Sequence, residues 1–117
     1  MSTSAMQLAT FCKEVAQSKT LWAVKDVNGF PAPAGTDGKG AMPFWPSQTR
    51  ALNLISIASQ FAGFEPVPIS WEDFCDRWLP GLEQDGLLVG VNWVGATASG
   101  SDMHPSELKQ NVEAAFG

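Results

Sequence analysis

Nine residues, GLLVGVNWV from Gly86 to Val94, form the most apolar run in the chain. A strand this uniformly apolar has no solvent face, so it predicts a central strand with both sides covered. The covering layers are legible as helical periodicities on either side of it in sequence. Leu8, Phe11, Cys12 and Val15 recur at i, i+3, i+4, i+7, predicting an amphipathic helix from Ser4 to Ser18 with Ser4 as its N-cap. Ser47 predicts the cap of a second helix running to about Ala62, with Ala51, Leu54, Ile55 and Ala58 on one face and Gly63 ending it. In a third, Ser70 and Asp73 resemble a capping box with Asp in place of Glu. Trp71, Phe74, Cys75 and Trp78 hold its apolar spacing, and Pro80 is expected to limit it. The last helix takes His104 or Asp102 as its cap, Pro105 at its first position, and Leu108, Val112 and Phe116 as its stripe.

The remaining extended segments are shorter. Thr20 to Asp26 predicts a strand, and Asn28-Gly29 after it predicts a hairpin. The expected partner is Phe30 to Ala34, placed at a sheet edge because Pro31 and Pro33 cannot donate to a ladder. Thr36 to Gly40 then predicts a tight turn into a strand from Ala41 to Trp45. Glu65 to Ile69 predicts a short extended segment held open by Pro66 and Pro68, and GATASGSD after the apolar run reads as a polar loop or hairpin tip. Together these elements predict an α+β fold, a small antiparallel or mixed sheet of about four strands with helices packed on it. With 44% hydrophobic and 16% charged residues, the 117-residue chain is expected to form a single globular domain over residues 1–117.

Composition removes several functions. The formal net charge is -5, and no basic run exceeds one Lys or Arg, so nucleic acid is not an expected partner. Every hydrophobic stretch is broken by Pro, Gly, Asp or Glu, so no membrane span or membrane partner is expected. The first twenty residues lack a basic segment followed by an unbroken apolar run, and a cytoplasmic location is the expectation. Cys12 and Cys75 lie far apart in sequence and are expected to be reduced, buried thiols.

Residues Gly81 to Gly86 reproduce the GxxxxG spacing of a phosphate-binding loop, but Leu87 and Leu88 stand where Lys and Ser or Thr would bind phosphate and magnesium. The segment also follows a helix and opens a strand, the reverse of the order that aims amides and a helix dipole at phosphate. Gly81 and Gly86 are therefore expected to be turn positions. His104 is the one histidine, and neither cysteine has a second Cys or His at ligand spacing, so no metal and no cofactor are expected. Ser99 and Ser101 lack the G-x-S-x-G frame, and a Cys–His pair would need a cysteine from a predicted apolar face. No catalytic residue is assigned.

Half of the twelve acidic residues, Glu65, Glu72, Asp73, Asp76, Glu83 and Asp85, fall between residues 65 and 85, against Arg77 alone. Glu72 and Asp76 are neighbours at i, i+4 on a helix, where they predict a solvated acidic face. Such a face suits a basic protein partner, and Glu72, Asp73, Asp76, Glu83 and Asp85 are its candidate contacts. Trp45 before Pro46, and Trp78 before Leu79-Pro80, each close an element. Both are candidate core residues, and both are candidates to rim a pocket near Asp85.

The combination of LWAVKDVNGF, AMPFWPS, ISWEDFCDRWLPGLEQDGLLVGVNW and HPSEL resembles the bacterial domain-of-unknown-function 2750 family over nearly the whole chain. WLPGL running into DGLLVGV is the most specific part. Met42-Pro43-Phe44 stands where leucines are usual, and GATASGSD is longer than the family pattern. The resemblance implies no assigned activity, and so no catalytic residues. A Pro-Phe-Trp strand, a Ser-capped helix and a late apolar strand ending in Asn are also similar to SseB-like secretion-associated and toxin-immunity domains, at the level of fold. From the residues we expect a non-enzymatic protein-binding domain of adaptor or immunity type, monomeric or homodimeric. The alternative is an enzyme or small-ligand-binding protein with a pocket near Trp45, Trp78 and Asp85.

Overall fold

A computed structural model describes residues 3–33 and 40–116, with the side chains of Thr3, Ser4 and Ser99 left aside. The fold is α+β, as the sequence predicts, with two small sheets between helices. Helix α1 (Thr3–Ser18) leads into β1 (Thr20–Lys25). β2 (Ala41–Phe44) is followed by α2 (Gln48–Ile57), a 3₁₀ turn (Ser59–Phe61) and β3 (Glu65–Ser70). Residues 71–84 run as one helical rod: α3 (Trp71–Asp73), a π-helical segment (Phe74–Trp78) and α4 (Leu79–Gln84). β4 (Leu88–Val94), β5 (Ser99–Met103) and α5 (Pro105–Ala114) complete the order.

β1 pairs antiparallel with β3, while β4 lies between a parallel β2 and an antiparallel β5. Trp22 and Trp45 join the two sheets, each backbone N–H donating to the other's carbonyl at 2.7 and 2.8 Å. The bridge stays isolated for a reason visible in the sequence. Its next hydrogen-bonded rung would need the N–H of residue 43, and Pro43 has none. The same bridge explains how β3 tolerates two prolines. Because Trp22 directs its backbone groups at Trp45, its pairing with Pro68, and that of Val24 with Pro66, falls at rungs where no donor is needed. The prolines thus leave β3 paired on one side and blunted on the other.

Alternation along the strands sorts the core into two layers. Leu21, Ala23, Phe44, Val89 and Val91 face α1, the 71–84 rod and α5, packing with Phe11, Val15, Phe74, Leu82 and Leu108. Val24, Ala41, Trp45 and Leu88 face α2 and the 3₁₀ turn, packing with Ala51, Leu54 and Phe61. β4 is therefore covered on both faces, as its composition predicts. A bulge at Asn92, whose φ is 50°, shifts the alternation, so Trp93 joins the α2 layer with its ring 6.5 Å from Phe61. An ion pair ties α1 to the start of α2: Arg50 Nη2 lies 2.7 Å from Glu14 Oε2, and Arg50 Nε donates to both carboxylate oxygens.

Several expectations need correction. Phe30 to Pro33 is not the partner of β1. Asp26 and Gly29 close a tight turn around Val27 and Asn28, with positive φ at Gly29, and the chain then leaves β1, Pro33 O accepting from Ala41 N of β2 at 2.9 Å. The partner is β3, whose prolines sit at silent rungs. Ala34 and most of the expected Thr36–Gly40 turn lie outside the described residues. α1 begins at Thr3, which places Ser4 inside its first turn rather than at its cap. α2 ends at Ile57 and the 3₁₀ turn finishes that segment, while Ser47 caps it as expected, its Oγ accepting from Arg50 N at 3.3 Å.

Pro80 does not limit the third helix. Leu79 N–H reaches back five residues to Phe74 O, and this wider turn accommodates the proline in mid-rod. Of the GATASGSD stretch, Gly95 to Ala98 forms the turn, but Ser99 onward is strand β5, polar in sequence because it lies at a sheet edge. His104 occupies the cap position of α5 without a side-chain capping bond.

Cys12 is buried, whereas Cys75 is half-buried, and both are free. Burial pushes both thiols up; at Cys75, Lys109 opposes that rise while Glu113 and Asp76 reinforce it. A raised thiol stays protonated at a pH where an unfolded one begins to ionise, so less of the reactive thiolate is present. With an aromatic disulfide reagent at about pH 8, both cysteines are expected to react more slowly than in urea, Cys75 ahead of Cys12. Equal rates in folded and unfolded protein would contradict the burial of these side chains.

Candidate functional site

The 71–84 rod begins at Ser70, whose Oγ accepts from Asp73 N at 3.1 Å, and ends in a Schellman turn. Leu87 N donates to Leu82 O at 2.9 Å, Gly86 N donates to Glu83 O at 3.1 Å, and Gly86 takes φ 69°. The Gly81–Gly86 frame is thus a helix ending in a joint to β4, as the sequence argument requires, with Gly86 as the turn position. Gly81 is no turn residue; it lies within α4.

Along one side of this rod, Arg77, Trp78, Gly81, Leu82 and Asp85 follow one another at helical spacing. They wall a surface cleft of about 310 Å³, closed on its far side by Met42 of β2 and by Leu87. Trp78 is held from two directions, with Phe30 edge-on at 4.8 Å and Phe44 at 5.8 Å. The π-helical segment matters here because it resets the helical phase between Phe74 and Leu79. Phe74 and Leu79 both stay buried in the core while Trp78 is left half-buried at the cleft.

Gly81 gives the cleft its depth. A Cβ added there would meet nothing within 4 Å, and its φ lies outside the left-handed region, so neither packing nor backbone conformation calls for glycine. In a helix interior, glycine costs roughly 1 kcal/mol relative to alanine. That helical cost falls at a residue that lines the cleft.

Of the pocket candidates, Trp78 and Asp85 line this cleft. Trp45 does not: it is fully buried in the α2 layer, its Nε1 donating to Trp93 O at 2.8 Å. The partner-binding candidates Glu72, Asp73, Asp76 and Glu83 are exposed on the rod and Asp85 is exposed at its C-cap, and of the five Asp85 alone lines this cleft. Among the described residues neither Arg77 nor Asp85 forms an ion pair. A second cleft of about 330 Å³ lies on the other side of Leu87, where Glu83, His104 and Ser106 supply the polar groups. Sequence reasoning missed Met42, Gly81 and Leu87; the available signal was a glycine inside an otherwise helical pattern.

Among the described residues no group of three or more His, Cys, Asp or Glu is placed to hold a metal ion. No helix among them is long and apolar enough to cross a membrane. The model of a family described as Protein of unknown function (DUF2750) matches residues 8–112. No curated protein and no solved structure matches the chain, so the strand-pattern likeness to SseB-like domains gains no support.

Proposed function

Because this chain belongs to the DUF2750 family, whose function is unknown, we propose a role from the site itself: a non-enzymatic domain that binds another protein through the 71–84 rod. An apolar side chain of the partner enters the cleft between α4 and β2, and basic groups around it meet the acidic residues of the rod. The observation that carries this reading is Gly81, which gives up helix stability to keep open a cleft walled by Met42, Trp78, Leu82 and Leu87. Glu72, Asp73, Asp76, Glu83 and Asp85 make the surroundings acidic and favour a basic partner surface.

The reading makes a paired prediction. Gly81→Leu is expected to fold at least as stably as the parent, because a Cβ there meets nothing within 4 Å and the change raises helix propensity. It is also expected to plug the cleft. A partner captured by the tagged parent protein, then purified and titrated, should bind Gly81→Leu at least roughly tenfold more weakly, a loss of about 1.4 kcal/mol. The Glu72→Lys, Asp73→Lys, Asp76→Lys triple variant should weaken it further and reduce its salt dependence. A partner that binds all three proteins alike would remove the rod as the binding surface.

A further inference from the structure

The acidic rod carries one cation, Arg77, and the structure places that cation in the wall of the cleft, with Asp85 two helical turns further along the same wall. A partner that was simply basic would be repelled at the point where its apolar side chain enters. The charge pattern therefore calls for an apolar group with an anion attached to it and cations slightly farther away. A protein chain offers that combination at its C-terminus, where the last residue carries both a side chain and a carboxylate and the preceding residues can be Lys or Arg.

We infer that the cleft recognises the C-terminal residue of a partner protein, a Leu, Met or Phe preceded by basic residues, and this rests on the protein-binding reading above. The terminal carboxylate meets the Arg77 guanidinium, a planar donor suited to two parallel hydrogen bonds with a carboxylate. The terminal side chain packs among Met42, Trp78, Leu82 and Leu87 over the gap left by Gly81. A basic residue upstream meets Asp85, with Glu83 beyond it at the second cleft. Capture of chain ends by groups of this kind is a recurrent mode of peptide recognition.

The experiment uses acetylated tetrapeptides Lys-Lys-Gly-X, with X as Leu, Met or Phe, made both as free acids and as C-terminal amides. Each is titrated into the full isotope-labelled chain, and the amide signals of Gly81, Leu82 and Leu87 are followed by NMR. The free acids are expected to shift these signals, and the amides to bind about tenfold more weakly, the worth of one charge-assisted pair. Arg77→Gln should abolish the difference between acid and amide while leaving the rest of the spectrum in place. Equal binding of acid and amide at the cleft would overturn the role of the carboxylate and leave the protein-binding reading standing. No shift at these residues with any peptide at millimolar concentration would overturn the inference outright. The Gly81→Leu titration with a captured partner then decides separately whether the cleft binds protein at all.

Discussion

Trp45→Ala is expected to lower the free energy of unfolding by on the order of 4 kcal/mol, within the range for removing a fully buried Trp side chain. Two features place this position at the upper end. The Trp45 side chain has no exposed surface and packs in the α2 layer, with Phe61 edge-on at 6.4 Å. Its Nε1 also donates to Trp93 O at 2.8 Å, just past the bulge in β4. Deleting the ring therefore opens a large cavity and leaves a buried carbonyl without its donor, a further cost of roughly 1–3 kcal/mol. Trp45→Phe separates the two effects, since it keeps most of the apolar volume and loses the hydrogen bond. Urea unfolding followed by far-ultraviolet circular dichroism should place Trp45→Phe between the parent and Trp45→Ala. A Trp45→Ala midpoint near that of the parent would contradict the burial of this indole and its bond to Trp93 O.

Trp45 also shows where sequence reading stops. A Trp before a proline break predicts closure of an element, and that holds at Trp45 but not at Trp78, where the rod continues through Pro80 to Gln84. Which of the two reaches the surface depends on the phase of the element that carries it. At Trp45 the strand turns the ring into the α2 layer. At Trp78 the π-helical segment, whose extra width at Phe74–Trp78 has no periodic signature in sequence, leaves it half-buried at the cleft. The same limit hid the partner of β1. Phe30 to Ala34 was expected to be that partner because it follows the Asn28-Gly29 turn directly, yet Glu65 to Ile69, equally rich in proline, takes the place. What decides between them is the Trp22–Trp45 bridge, a tertiary contact that fixes which backbone groups of β1 face β3 and so makes Pro66 and Pro68 harmless. β4, by contrast, was legible because a nine-residue run whose one polar side chain is Asn92 requires cover on both faces wherever the rest of the chain goes. The acidic rod was legible as a helix with a charged face. Its cleft was not, because Met42 and Leu87 reach it from elements distant in sequence or past a turn.

A strand glycine carries the second large effect. Gly90, in the middle of β4, lies under the indole of Trp93, and a Cβ built on it would meet Trp93 Cε2 and stand 2.7 Å from its Nε1. The indole has little room to retreat. It is 5% exposed, its Nε1 donates to Asp102 Oδ1 at 3.0 Å, and Gly100 on β5 leaves only 2.8 Å between its own would-be Cβ and Trp93 Cδ1. The bulge at Asn92 thus turns Trp93 back across the sheet, and the two glycines are the gap it fills. Gly90→Ala is expected to cost about 2–3 kcal/mol and Gly90→Val more, because overpacking forces the ring or the backbone to move. Trp93→Leu removes the obstacle, so Gly90→Ala should cost distinctly less in that background. The cycle should show a coupling of about 1 kcal/mol or more, as residues in contact do. Additive costs would mean that the alanine strains the strand itself rather than meeting the indole. Coupled costs would establish that β4 carries glycine at residue 90 to seat a tryptophan three residues later.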